Sequence, residues 1–290
     1  MSSSGAVIHR TARGRRLRHV AVDAVVYVLL LIGLLSVILP FVYMVSSSLE
    51  TAVQIGSLTP QFVPSPLTWT NYQQVARELP IARFYLNSAI VSIIITVAQL
   101  LTASMAAYAF ARLRFRGRST LFALYLGTLI IPSQVTLIPN YLIVRELHWH
   151  DTYAGLIAPF VVSVFSTFLL RQFFLTIPTD YEDAARIDGA NHWQIYTRII
   201  LPLARPALAT VVILTFLASW NNFLWPLVVI DSPSLKTVPL SVTAYQDQFA
   251  IAWGPLMAAA TLSLLPVLIV YVLMQKYVVE GIALSGQGGR

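Results

Sequence analysis

Apolar and polar positions along this chain fall into long blocks rather than short alternations. Residues 20–45 form one apolar block, interrupted only by Asp23 near its start and Pro40 near its end. Further blocks cover residues 84–111, 121–144, 155–174, 207–230 and 255–275. Each is about 20 residues or longer, the helix length that crosses the hydrocarbon core of a bilayer. A lone segment in lipid satisfies its own backbone only as a helix, so the pattern predicts an all-α membrane protein with six transmembrane helices. The organisation that follows is a basic tail at residues 1–19, a membrane domain at 20–277 and a second tail at 278–290.

The polar punctuation differs from place to place. Residues 46–83 are polar and carry Pro60, Pro64, Pro66 and Pro80, whereas 145–153 is short and holds His148, Trp149 and His150. Two histidines two apart with no third ligand read as interfacial polar residues, not a metal site. The third block contains Pro132 and Pro139 beside Ser133, Gln134 and Asn140. Proline frees backbone groups that neighbours or water must satisfy, so this helix is expected to face the protein interior or a cavity. The fifth block contains SWNNFLWPL, which sets Trp220, Asn221, Asn222 and Trp225 at mid-membrane depth. Amides and ring faces suit sugars, through hydrogen bonds to hydroxyls and stacking on C–H faces. The same residues would serve helix packing equally well.

Residues 178–206 are polar and charged although apolar blocks flank them on both sides. Thr179 and Glu182 have the spacing of a capping box, which predicts a helix start. Glu182 and Arg186 stand four apart in the favourable order, and Gly189 is a natural terminator. Tyr181, Ala184, Ala185 and Asp188 would share one face, shallow enough for another protein to approach closely. The chain restarts near Asn191, and Pro206 is placed to open the next membrane helix. A docking knob between two spans is the expectation.

Composition narrows the class. The 290 residues are 57% hydrophobic and 11% charged, with a mean hydropathy of +0.72. A soluble domain needs far more charge to cover its surface. The net charge of +7 would suit nucleic acid, but the basic residues cluster beside the spans. Fifteen lie in the tails and in the segments around 112–118 and 171–205, against four (Arg77, Arg83, Arg145, Lys236) elsewhere. The positive-inside rule then puts both termini and residues 178–206 in the cytoplasm. There is no cysteine, which removes disulfides and thiolate chemistry. No Gly-rich phosphate loop with its Lys is present, so the chain is expected to bind no ATP itself. No Asp or Glu lies near the centre of a span, which argues against a proton- or sodium-driven carrier. A non-transporting scaffold is opposed only by the elaborate loop and the proline-broken third span.

The ordered string Asp183-Ala184-Ala185, three residues, Gly189, nine residues, Ile199-x-Leu201-Pro202 resembles the cytoplasmic EAA loop of permease subunits in binding-protein-dependent ABC importers. Asp183 stands where that family has Glu, with Glu182 directly before it, so either acid is a candidate for an ATPase contact. The resemblance extends along the chain. PSPLTWTNYQQV is similar to the external linker of sugar-type permeases, where an extended chain leads into a short surface helix. IIPSQVTLIPNYLIV, WNNFLWPLVV, WGPLMAA and YVVEGIALSGQGG are similar to segments of the maltose and glycerol-3-phosphate class. The basic GAVKG-like tail common there is absent. Within the class the chain resembles the smaller six-span maltose permease subunit.

The resemblance implies a type I ABC importer permease fold in a multi-pass protein of the bacterial plasma (inner) membrane. It implies a non-catalytic subunit that carries sugar, or alternatively glycerol-3-phosphate or glycerophosphodiesters. Implied partners are a homologous second permease subunit, two ATPase subunits holding ATP and Mg, an extracytoplasmic solute-binding protein and membrane lipid, with no nucleic acid. Glu182, Asp183, Ala184, Ala185, Asp188 and Gly189 would form the coupling helix that docks on the ATPase. Gln134, Asn140, Trp220, Asn221, Asn222 and Trp225 are candidates for the translocation path. Tyr245, Gln246, Asp247, Gln248 and Phe249 are candidates for contact with the binding protein.

Overall fold

A computed structural model describes residues 6–57, 62–246 and 251–286. Helices make up nearly all of its regular structure, and the only β pairing among the described residues is a bridge between Gln246 and Ile251. In order they are α1 (Ala6–Ser48), α2 (Ala52–Ile55), α3 (Thr70–Glu78), α4 (Ile81–Arg112), α5 (Arg118–Gly127) and α6 (Ser133–Glu146). There follow α7 (Tyr153–Ile157), α8 (Val164–Thr176), α9 (Asp180–Ile187), α10 (His192–Ile195), α11 (Leu201–Leu203), α12 (Arg205–Trp220), α13 (Leu224–Val229) and α14 (Trp253–Gly286). The short surface helix expected in the first linker is α3.

Six uninterrupted spans are not what forms. Among the described residues three helices are long and apolar enough to cross a membrane unaided: Val22–Ser48, Ile81–Arg112 and Trp253–Leu273. Three more candidates are bent pairs: Arg118–Ile130 with Ser133–Glu146 at 97°, Tyr153–Phe160 with Val164–Thr176 at 42°, and His192–Leu203 with Arg205–Trp220 at 78°. The first bend has a direct cause in Pro132. A residue before proline is driven out of the helical region, and Ile131 sits at ψ 114°. The 42° bend turns at Ser163, which is extended and accepts a hydrogen bond from the Ser166 N–H at 3.1 Å. The fifth block breaks again after Trp220, where the Asn222 carboxamide oxygen accepts from the Trp225 N–H at 3.3 Å.

Breaks release backbone carbonyls that lipid cannot satisfy, and side chains of α4 and α13 take them up. Gln99 Nε2 donates to Phe160 O at 2.7 Å and Thr102 Oγ1 to Val161 O at 2.8 Å. Trp225 Nε1 donates to Gly155 O at 3.0 Å. Gln99 Oε1 also accepts from Ser166 and Thr215 at 3.3 and 3.1 Å, so one carboxamide ties α4 to α8 and α12. Helix α4 can stand at the centre because Ala103, Ala107 and Ala111 recur every four residues. That leaves a flat stripe for close approach, and it packs on Leu170, Phe174 and Val211. Helix α14 packs against α12, and α1 lies on α14 with its apolar side chains outward. Such a face suits lipid or another subunit.

At the end of the bundle far from residues 178–206, chain segments come unusually close. A Cβ on Gly155 would stand 2.3 Å from Trp149 O, whereas one on Gly127 would meet nothing within 4 Å. Gly155→Ala is therefore expected to cost about 1–3 kcal/mol and lower the melting temperature of the purified protein. Gly127→Ala should leave it unchanged. Equal melting temperatures for the two variants would contradict this packing.

Candidate coupling loop

Residues 178–206 fold on local signals, though not all of those expected. Helix α9 carries Asp180, Glu182 and Asp183 in its first turn, where acids favour the positive end of the helix dipole. Thr179 does not cap it. Its own backbone is helical (φ −67°, ψ −22°) and its side chain makes no capping bond, and the Glu182 N–H it would cap bonds instead to the Thr179 carbonyl at 2.9 Å. The capping box lies one helix later, where Asn191 and Gln194 exchange bonds at 2.9 Å each. Gly189 ends α9 as expected, at φ +81°. Ala190 N–H reaches Ala185 O and Gly189 N–H reaches Arg186 O, the paired bonds of a Schellman turn, in which glycine avoids the left-handed penalty. Residues Tyr196–Ile200 form a π-helical turn. Helix α12 starts at Arg205, one residue before the expected Pro206.

The inner side of this loop is bolted to the bundle. Ala185, Ile195, Tyr196, Ile200 and Ala204 are buried in the same apolar cluster as Ala107, Leu170 and Phe174. Tyr196 Oη and Ser104 Oγ are 2.8 Å apart. Glu182, only 3% exposed, places Oε1 3.0 Å from Arg112 Nε as an ionic contact, and Oε2 3.4 Å from Arg186 Nη2. Arg112 also donates through Nη2 to the carbonyls of Phe174 and Ile177, using the charge that helix C-termini attract. One guanidinium thus joins the last residue of α4, the end of α8 and the start of α9.

The outer side is bare. Asp183 is 62% exposed with only Arg186 beside it at 3.1 Å. Ile187 is 87% and Trp193 61% exposed, and Tyr181, Ala184 and Asp188 are exposed with them. Two adjacent acids therefore face opposite ways, and Ala185, expected on the docking face, points inward.

This arrangement can be set beside proteins of known assignment. Residues 99–283 match the family described as the binding-protein-dependent transport system inner membrane component. The chain belongs to that family. The permease is 33% identical over 255 residues to the arabinooligosaccharides transport system permease protein AraQ of Halalkalibacterium halodurans, covering 87% of this chain and 91% of that one. It is 32% identical over 269 residues to the sn-glycerol-3-phosphate transport system permease protein UgpE of Yersinia pestis, covering 90% and 95%. Among solved structures, a chain of a bacterial ABC transporter involved in the import of the acidic polysaccharide alginate superposes with a TM-score of 0.79 at 27% identity, over 91% of this chain and 98% of that one. The type I importer permease fold and an integral place in the inner membrane follow.

The permease's other expected site residues separate into two groups. Trp220 and Trp225 are buried and spend their indole N–H groups inside the chain, Trp220 on Ser263 O at 3.4 Å and Trp225 on Gly155 O. They pack, rather than offer a free donor to a solute. Asn222 caps α13, while Asn221 is exposed at the break, and Gln134 and Asn140 lie exposed and half-buried on α6. Tyr245 is buried, and burial followed by the Glu78 carboxylate raises its phenol above the ordinary range. Gln246 is exposed, and Asp247, Gln248 and Phe249 lie outside the described residues.

Arg112 and Gln99 are the residues that sequence reasoning passed over. The signal for Arg112 was present: Ser104, Tyr108 and Arg112 recur every four residues, a polar-tipped seam that ends in a charge. Arg112→Ala would leave the buried Glu182 without its α4 partner, a change on the order of 3–5 kcal/mol. It should give the largest drop in melting temperature of the three. Arg112→Lys keeps the charge but loses the fork that reaches three acceptors and should fall between. Asp183→Ala, at an exposed pair, should shift stability by less than about 0.5 kcal/mol. Thermal unfolding of the three variants checks the order, and a stable Arg112→Ala would refute it.

Proposed function

We propose that this permease forms half of the translocation path of an ATP-driven sugar importer. In this reading it has six spans, with both termini and residues 178–206 in the cytoplasm. A homologous permease subunit completes the path, and an extracytoplasmic binding protein delivers the solute near Gln246. Two ATPase subunits hold ATP and Mg and carry out hydrolysis, so the permease itself is not catalytic. The sugar assignment is supported by the names of AraQ and of the alginate importer.

The observation that carries the reading is the two-sided helix α9. Its bare face offers Tyr181, Ala184, Ile187 and Asp188 for a groove of the ATPase, with Trp193 beside them. Asp183, exposed on that face, and not the buried Glu182, is the acid placed to meet a basic residue there. Glu182 and Arg112 pass the displacement inward to the ends of α4 and α8. Alternating access then needs no flexible link at this joint. Movement of the docked helix becomes movement of two membrane helices.

A phosphorylated polyol is a second reading, favoured by an open cleft of about 510 Å³ lined by Tyr141, Arg145, His148 and His150. Guanidinium and imidazole N–H groups suit phosphate, and His150 is the one with an acid nearby, Asp231 at 3.8 Å.

The test is ATP hydrolysis by the reconstituted complex with its binding protein, over a panel of oligosaccharides, uronate sugars and glycerol phosphates. Stimulation by one class assigns the solute, and no stimulation by any would overturn the importer reading. Ile187→Asp puts a charge at the centre of the docking face, where a hot-spot loss of about 2 kcal/mol means roughly thirtyfold weaker ATPase binding. Co-purification of the subunits reads it. Glu182→Gln should instead keep the ATPases bound while hydrolysis stops responding to the loaded binding protein. Unchanged coupling in Glu182→Gln would remove that residue from the transmission.

A further inference from the structure

The far end of α4 encloses a small cavity remote from the docking loop. Its volume is about 10 Å³, and its polar lining is Ser88, Ser92, Ser219, Asn222 and Thr237. Three of the hydroxyls, Ser92 Oγ, Ser219 Oγ and Thr237 Oγ1, are buried and have no hydrogen-bond partner. Ser92 and Thr237 are almost wholly buried as residues. An unmade hydrogen bond on a buried hydroxyl costs on the order of 1–3 kcal/mol, so three around one space require an explanation. No Asp, Glu, Lys, Arg or His lines the cavity, which leaves nothing to balance an ion. A site of this size with several polar partners is what a single buried water needs.

We propose that the cavity holds one buried water that hydrogen-bonds to Ser92 on α4, Ser219 in the last turn of α12 and Thr237 at the start of the following connection. It acts as a pin. The connection already touches α4 directly, through Val238 N–H on Ser88 Oγ at 2.8 Å and through Asn87 Nδ2 on Ser234 O and Lys236 O at 2.9 and 2.8 Å. Helix α12 has no such bond to the connection at this point, and it stops at Trp220, one residue after Ser219, before Asn222 caps the next helix. The water supplies the missing third corner. It joins the stump of the broken fifth span to both the central helix and the segment that covers it.

Two measurements on the assembled complex decide it. A structure resolved well enough to show waters should contain a peak within about 2.5–3.0 Å of all three hydroxyl oxygens. No peak, with the serine and threonine hydroxyls turned onto carbonyls of their own chain, would overturn the proposal. The second is thermal unfolding of Ser92→Ala, Thr237→Val and the double variant. Because one water serves both groups, each single variant should lower Tm, and the double should fall little further than the worse single. Losses that add, or single variants with no loss, would sink it. Thr237→Ser, which keeps the hydroxyl, should return the Tm of the unaltered complex.

Discussion

The guanidinium of Arg112 is the joint on which the loop end of this permease is built. Three otherwise separate things converge there: the terminus of the central helix, the Phe174 and Ile177 carbonyls at the end of α8, and the buried acid of α9. None is stable alone in that place. Helix-end carbonyls need donors, a buried carboxylate needs a countercharge, and a short helix of eight residues needs tertiary support to persist. Each supplies what another lacks. The outward face of α9 can then be bare, since nothing on it is needed to keep the helix folded.

The same economy of backbone groups governs the membrane interior. The break between α7 and α8 releases carbonyls, and the permease answers with side chains from neighbouring helices rather than by avoiding the break. Gln99 and Thr102 reach the turn between α7 and α8, and Trp225 reaches back to Gly155. The straight helix α4 supplies most of these groups. Alternating polar seams and an alanine stripe on its surface let it touch α8 and α12 closely while holding them apart at chosen points.

What could be read from sequence was what depends on near neighbours in the chain. Apolar block length located the membrane segments, Gly189 ended α9, and the order of small and acidic residues marked the loop. Thr179 with Glu182 misled, because the capping signature does not say where the acid will turn once a cation from another helix arrives. Asn191 with Gln194 carried the same signature and realised it. The choice between Glu182 and Asp183 was closed to sequence for the same reason, since Arg112 lies 70 positions away from the first of them. Trp220 and Trp225 read from sequence equally as path or packing residues, because composition cannot show that an indole N–H is already spent on a carbonyl. Pro132 announced its bend, and Pro206 announced the start of α12. The breaks after Phe160 and Trp220 rest on Ser163 and Asn222, residues that are unremarkable until their geometry is known.

Consecutive residues on a helix point about 100° apart, and Glu182 and Asp183 use that separation to serve two masters. One acid answers to the permease's own chain, the other to whatever stands outside. The two obligations can therefore diverge at different rates over evolutionary time. Changes at Asp183, Ile187 and Asp188 could alter the bare face without disturbing the internal joint. A change at Glu182 would instead demand a matching change at position 112.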